Sequence, residues 1–520
     1  MRRLLPLLLL ATVARAESFD LIIRRASVID GTGTPAYSGD LAIRGDRIAA
    51  IGQLPAGSTA ATEIDAAGRV VAPGFIDVHT HSEEITDLPV AENFLRMGVT
   101  TIITGNCGGS KLNVAEFFAA IVQTKVALNV ATLVGHNTVR GQVMGGSFAR
   151  PPTAGELAKM CALVDQAMKD GAVGLSTGLL YLPGTFAKTD EIVALAKAAA
   201  AHDGIYASHM RQENAQIREA LDEVVTIARE AKIRAEVSHI KLSGPTAWGR
   251  AAEILAYLDS LRAEGLALTQ DQYVYTASST GIGANLIDAR FREGGAQRYR
   301  ERLADPVEKS KMVADMKDFI AKGKRGDYAY AVVANFNADP RLNGKTIAQA
   351  AKLLRGADTL DDQIETILDI EARGGAQGVF HGMSEADLKI FLAHPLTMIA
   401  SDAAPRKFND AVPHPRGYGN NARVLGRYVR DQKVLTLEDA VRKMTSLPAK
   451  TFRLRDRGEL RPGAIADVVI FDPATVNDPS TYEAPHHYAV GFSDVIVNGV
   501  PVIRGAQLTA ARPGTPVRLK

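Results

Sequence analysis

The stretch Pro73-Gly74-Phe75-Ile76-Asp77-Val78-His79-Thr80-His81 reads as a short apolar strand, entered through a Pro-Gly turn and left through two histidines. Residues two apart in an extended chain face the same way, so His79 and His81 point together beyond the strand's carboxyl end. The same kind of stretch recurs along the chain. Apolar runs end near Cys107, His136, Ser176, His209, His239 and Asp271, at intervals of 28 to 40 residues, with amphipathic helical patterns between them. A parallel (β/α)8 barrel spends ~250 residues on eight strand-helix units, about 31 each, so this beat predicts an α/β fold of the TIM-barrel type.

The eighth strand, Leu396 to Asp402, arrives 131 residues after Asp271, about 100 more than one unit requires. The excess, roughly Ser278 to Gly378, is expected to be an inserted subdomain or lid before the last barrel strand. Its charge-rich helical stretches, such as Val307 to Lys324, suit a solvent-facing appendage, and long insertions over a barrel mouth are commonly functional. On either side of the barrel, assigned to residues 73–455, lie two β-rich ends. Residues 17–72 carry a hairpin signal at Gly45-Asp46, and residues 456–520 carry the strand Ala466 to Phe471 and a hairpin through Asn498-Gly499. Neither end is large enough for its own core, so the two are expected to pair into one small β-sandwich.

The 520 residues are 46% hydrophobic and 23% charged, a composition that excludes disorder, collagen and coiled coil. Residues 1–16 run Met-Arg-Arg, an apolar segment Leu4 to Ala14, then Ala14-Arg15-Ala16, which predicts a signal peptide and export to the periplasm or beyond. Eleven apolar residues fall short of the ~20 needed to span a bilayer, so no stable membrane insertion is expected after leader removal. Taking the leader's three arginines from the 60 basic residues leaves 57 against 58 acidic, a net charge of −1. That balance gives no reason to expect nucleic acid as a partner; a small-molecule substrate fits better. The sequence does not specify an oligomeric state.

Only two cysteines are present, and they are not expected to form a disulfide. Cys161 falls in an amphipathic helix opened by a capping-box pattern, Thr153 then Glu156, and is expected to be buried there. Cys107 closes a β-branched run, Thr100 to Thr104, at the turn Gly105-Asn106-Cys107-Gly108, where a thiol is placed for chemistry. Catalytic groups of a barrel gather at the carboxyl ends of its strands. Imidazoles at His79, His81, His209 and His239, the Cys107 thiol and the Asp402 carboxylate at that one rim describe a zinc site. His136, also at a strand end, is read as a hydrogen-bonded structural residue, as are His202, His381, His394, His414, His486 and His487. Ser401-Asp402 could also cap a helix.

The segment Pro73 to His81 resembles the opening strand of the amidohydrolase superfamily. That superfamily often bridges two metals with a carboxylated lysine on the fourth strand, and Ala172 to Leu179 offers none. Cysteine at the second strand end instead resembles the N-acyl-D-amino-acid deacylase family. So do Gly105-Asn106-Cys107-Gly108, Gly171 to Leu179 with Tyr181 and Pro183, Tyr206-Ala207-Ser208-His209-Met210-Arg211, Ser238-His239-Ile240-Lys241 and Ser401-Asp402. The likeness runs from about Asp20 to Gly499.

This resemblance implies one tightly held zinc on Cys107, His209 and His239, and a weaker second metal position at His79, His81, Cys107 and Asp402. It implies Asp402 as general base and acid for hydrolysis of the N-acyl amide of an N-acyl-D-amino acid, releasing a carboxylate and the D-amino acid. It also implies that Lys241, Tyr273 and Arg416 hold the substrate's α-carboxylate, with Ser279 as a further contact. Two positions depart from the family pattern: Val274 stands where Pro is usual, and Ala403 where Gly is common.

The alternative within the fold is a cyclic amidase or dipeptidase, hydantoinase-like or isoaspartyl-dipeptidase-like, against which the cysteine and the missing bridging lysine count. A periplasmic binding protein without activity would have lost the donors, and all six are present. A nucleobase deaminase would show a basic run or a base-stacking aromatic cluster, and neither is found.

Overall fold

The computed structural model describes residues 17–519; the predicted leader, residues 1–16, lies outside the described residues. Eight short parallel strands carry the beat read from the sequence: Phe75–Asp77, Val99–Thr104, Asn129–Thr132 continued by Val134–Gly135, Gly174–Gly178, Ile205–His209, Arg234–Val237, Leu268–Gln272 and Thr397–Ile399. Strand pairing runs through two sheets, one of three strands and one of six. They are joined where Asn129–Thr132 bonds the second strand and Val134–Gly135 the fourth. On the other side the first strand meets the last through a parallel bridge from Thr80 to Ala403, with His81 N–H donating to the Ala403 carbonyl at 2.8 Å. Hydrogen bonding therefore passes around all eight strands. Inward residues such as Ile76, Ile103, Ala131, Val173, Ile205, Ala207 and Met398 fill the interior as one buried cluster, as barrel layers require.

The helix carrying Cys161, Ala154–Lys169, opens with the expected capping box, Thr153 and Glu156 bonding each other's backbone. Cys161 itself is half-buried at the edge of the helix layer rather than inside it, because its neighbours Met160 and Val164 take the inward face. Both cysteines are free thiols.

Strands from the two chain ends share one nine-stranded sheet, with Val70–Pro73 pairing antiparallel to Val468–Phe471 at the seam. The sheet curls until the strand Arg47–Gly52 meets residues 463–465, Ile48 N–H donating to Ala464. Both expected hairpins are present. Arg44 pairs with Arg47 across Gly45-Asp46, and Val497 pairs with Val500 across Asn498-Gly499, whose φ angles of 49° and 81° are those of a tight hairpin turn.

The expected C-terminal boundary needs correction. Residues 513–519 leave the sheet and run beneath the barrel, Val517 N–H bonding Val130 and Leu519 N–H bonding Gly171. Residues 478–488 instead reach the upper rim, where Asp478 accepts from Tyr275 Oη at 2.6 Å and Tyr482 Oη accepts from Ala277 N–H. These extended segments lack apolar periodicity, so their packing partners were not visible in sequence.

The insertion has its own three-stranded sheet. Ala277–Gly281 and Gln377–His381 pair antiparallel as its neck, and Ala331–Asn335 adds the third strand. Helix Pro306–Lys322 buries Met312, Met316 and Ile320 against a core separate from that of the barrel.

Candidate metal and active site

The predicted donors converge at the carboxyl-end rim. Cys107 Sγ lies 3.3 Å from His79 Nε2, 3.6 Å from His209 Nδ1 and 3.6 Å from His239 Nε2. Asp402 Oδ1 lies 3.1 Å from His81 Nε2 and 3.7 Å from His79 Nε2. Three groups of donors fall within mutual reach: His79, Cys107 and His239; His79, His81 and Asp402; and His209, Glu213 and His239. His79, expected at the second metal position, also comes within reach of Cys107 and His239.

His209 ends its strand, and turns just past the strand ends place three of the other donors. Cys107, His239 and Asp402 have φ of 52°, 37° and 51°, a left-handed conformation that costs a non-glycine residue ~1–3 kcal/mol and clusters at functional sites. Glycines flank the first of them by necessity: a Cβ on Gly105 would meet the Leu133 carbonyl at 2.2 Å, and one on Gly108 would meet Asn137 Oδ1 at 2.1 Å. Asp402 caps no helix; its N–H donates to the His79 carbonyl, tying the last strand to the first. His239 and Lys241 lie beyond the strand Arg234–Val237, so a turn and not strand alternation brings Lys241 Nζ within 2.7 Å of His239 Nδ1.

Carboxylates hold the donors from behind. Asp271 accepts from His79 Nδ1 at 3.2 Å and from His239 N–H at 3.0 Å, the outer contact that fixes which ring nitrogen faces a metal. Glu213, not foreseen, accepts from Lys241 Nζ at 2.5 Å and lies 3.0 Å from His239 Nδ1. Its one sequence signal was an acid four residues past His209 on the same strand-to-helix loop.

Electrostatics favour the ligand forms of Cys107, Asp402 and His209 and oppose that of His79. Burial opposes ionisation of Cys107, but His79 and bonds from His209 and His239 outweigh it and hold the thiol well below its ordinary pKa. Burial also opposes a charge on Asp402, and Arg416 and His79 overcome it, so the carboxylate stays ionised. Burial lowers His209, keeping it neutral. Burial disfavours protonated His79, yet Asp271, Cys107 and Asp402 raise its pKa well above the ordinary value.

The expected substrate contacts gather on one wall. The Tyr273 ring, 1% exposed, has Arg416 Cζ 4.6 Å from its centroid and Lys241 Nζ at 5.7 Å. Arg416 begins the helix Arg416–Arg423 rather than standing on a loop, and is 5% exposed. Its Nη1 lies 2.8 Å from Asp402 Oδ2 but off the hydrogen-bond line, leaving that buried donor unspent. Its Nη2 donates to the Ser279 carbonyl at 3.3 Å, so Ser279 acts here through its backbone. Val274, which departs from the family's usual Pro, donates its N–H to the buried Asn420 side chain at 3.0 Å, a bond Pro could not make. His136 is structural as expected, bonded to Glu191 at 2.8 Å. His202 and His394 pair with Asp165 and Asp259, and His414 packs behind Arg416, accepting from its N–H.

The donor set fits zinc. Bonds of ~2.3 Å to sulfur and ~2.0–2.1 Å to nitrogen at a tetrahedral angle separate the two donors by about 3.5 Å, and the sulfur-to-nitrogen distances of 3.3 to 3.6 Å span that value. Imidazole, thiolate and carboxylate donors at the rim of a parallel barrel define the class as metal-dependent barrel hydrolases.

Comparison with known proteins narrows that class. An Amidohydrolase family model matches residues 62–503. The chain is 35% identical over 526 residues to D-aminoacylase of Alcaligenes xylosoxydans xylosoxydans, covering 96% of this chain and 97% of that protein. It is 36% identical over 525 residues to N-acyl-D-glutamate deacylase of the same organism, again covering 96% and 97%. The crystal structure of N-acyl-D-glutamate deacylase from Bordetella bronchiseptica, complexed with zinc and a phosphonate mimic of the tetrahedral intermediate, matches with a TM-score of 0.82. That match has 34% identity and covers 96% of this chain and 100% of that one. The chain belongs to the amidohydrolase family, within its N-acyl-D-amino-acid deacylase branch.

Proposed function

We propose that this protein hydrolyses the N-acyl amide of N-acyl-D-amino acids in a zinc-dependent reaction. The observation that carries the reading is the placement of Asp402: one carboxylate oxygen faces His81 and His79, the other faces Arg416 beside Tyr273 and Lys241. The proton-accepting group is thus held between the donor cluster and a cationic wall. Cys107, His209 and His239 would hold the tighter zinc, with His79, His81, the shared Cys107 and Asp402 at a second, weaker position.

When bound, zinc would supply Lewis acidity toward the amide carbonyl and acidify water from a pKa of ~15.7 to near 7. Asp402, ionised and 7% exposed, takes a proton on Oδ1 and returns it to the leaving nitrogen. Lys241, Tyr273 and the unspent Arg416 donor hold the substrate's α-carboxylate, fixing the amide over Asp402. The predicted leader supports a reading of the protein as exported, testable by recovering the processed chain outside the cytoplasm.

A panel of N-acetyl and N-formyl D- and L-amino acids, with a dipeptide and a hydantoin, tests the reading by amine release. Hydrolysis of the D-acyl compounds alone is expected; preferred hydrolysis of the L-series, the hydantoin or the dipeptide would overturn it.

A further inference from the structure

One acid inside the barrel has no base to answer it. Around the rim, Glu213 is matched by Lys241, Asp402 by Arg416, and Glu191 by His136 and Arg140. Glu236, on the sixth barrel strand, is 1% exposed. Its Oε2 accepts from Ser238 Oγ at 3.0 Å, while its Oε1 is buried with no hydrogen-bond partner among the described residues. The strand register shows what lies beside it. Glu236 pairs with Ala207 of the apolar interior on one side and with Thr269 on the other. Asp271, two residues past Thr269 on the same strand, turns to the same barrel interior, and there the two carboxyl groups meet. Asp271 is already committed elsewhere: its Oδ1 accepts from His239 N–H at 3.0 Å and its Oδ2 lies 3.2 Å from His79 Nδ1.

We propose that Glu236 is a positioning residue of the metal site: as a neutral carboxylic acid it donates its Oε1 proton to Asp271 and so fixes the carboxylate that orients His79. The inference rests on the metal-site reading above and adds a layer behind it. Two buried carboxylates in contact repel and lack water to solvate them, whereas a single proton between them turns the contact into a charge-assisted hydrogen bond. That proton belongs on Glu236, because both Asp271 oxygens already receive donors and the Glu236 Oε1 receives none. Burial, and after it the Asp271 charge, push the Glu236 carboxyl well above the ordinary carboxylate range. The bonds then run in one direction. Ser238 donates to Glu236, Glu236 to Asp271, and His79 Nδ1–H to the same Asp271, which leaves His79 Nε2 facing Cys107 at 3.3 Å and Asp402 at 3.7 Å. Such outer contacts set the ring orientation and basicity of a metal-binding imidazole. An apolar side chain at position 236 would leave Asp271 one donor short and His79 less firmly aimed. Glutamine would keep both bonds, since its amide donates where the acid does and its carbonyl accepts from Ser238.

The test combines infrared spectroscopy of the zinc-loaded full chain, its glutamate carboxyls isotope-labelled, with zinc titration of the metal-stripped wild type, Glu236→Gln and Glu236→Leu. At neutral pH the wild type should show the carbonyl stretch of a protonated glutamic acid, and Glu236→Gln should lose it. Glu236→Leu should weaken the second zinc equivalent, the one held by His79, by about 10- to 100-fold, with a smaller effect on the first. Glu236→Gln should restore the affinity to near the wild-type value, a rescue that bulk packing alone would not distinguish from leucine. Absence of a protonated glutamic acid in the wild type overturns the inference, and that spectrum needs no variant to fold. So does a Glu236→Gln protein that binds the second zinc as poorly as Glu236→Leu, or a Glu236→Leu protein that binds it as well as the wild type. A wild type that binds no zinc overturns the metal-site reading itself.

Discussion

The two halves of the site are built differently. The donor cluster, His79, His81, Cys107, His209, His239 and Asp402, hangs from strand ends, and its shape follows from a hydrogen-bonded ladder that repeats at a nearly fixed interval. The cationic wall, Lys241, Tyr273 and Arg416, hangs from a turn, a strand end and a helix start beside the neck of the insertion. The first half is rigid and general to the chemistry. The second depends on local turns that can change without disturbing the barrel, so substrate choice is expected to reside there.

This contrast predicts a graded set of losses. Cys107→Ala should strike hardest, lowering zinc affinity by more than ~100-fold and removing activity with it; elemental analysis after dialysis and an assay on the same sample check this. Zinc affinity of the wild type should rise with pH through the neutral range, by about tenfold per unit for each proton released. The sign follows because Asp271, Cys107 and Asp402 keep His79 protonated in the metal-free protein well above its ordinary pKa, and a ligand imidazole must lose that proton. A pH series of zinc titrations with proton release measured in unbuffered solution checks it.

Asp402→Asn should come next, keeping the tighter zinc while kcat falls by ~10²-fold or more. On the other half, Lys241→Ala and Arg416→Ala should chiefly raise KM, by about 10- to 100-fold; steady-state kinetics separates this from the kcat loss at Asp402. Smallest of all, Thr153→Ala removes a capping box remote from the site and should cost ~1 kcal/mol of stability in denaturant unfolding, with turnover unchanged.

Much of the first half was legible in the sequence, and the reason is physical. A strand end is announced by an apolar run and a turn, and the barrel repeats that signal, so His79, Cys107, His209, His239 and Asp402 could be aligned before any coordinates. Contacts made through turns carry no such period. Lys241 meets His239 through a turn beyond the strand end. Arg416 begins a helix whose start follows a long irregular segment. Glu213 was missed because a single acid in a loop looks like any solvated charge, and Asp271 was read as a strand end without its role behind His79 and His239. The paths of residues 478–488 over the rim and 513–519 beneath the barrel left no trace in sequence, since extended chain without alternating apolar residues does not announce its partner. The capping box and both hairpins were readable because their signals are local.

The most direct test of the account is a zinc titration of the metal-stripped protein followed by amine release from N-acyl-D-amino acids, with the L-enantiomers in parallel. Activity on the D-series should appear with the first equivalent of zinc and be absent from Cys107→Ala. Full activity in the metal-free protein, or equal rates on the L-series, would contradict it.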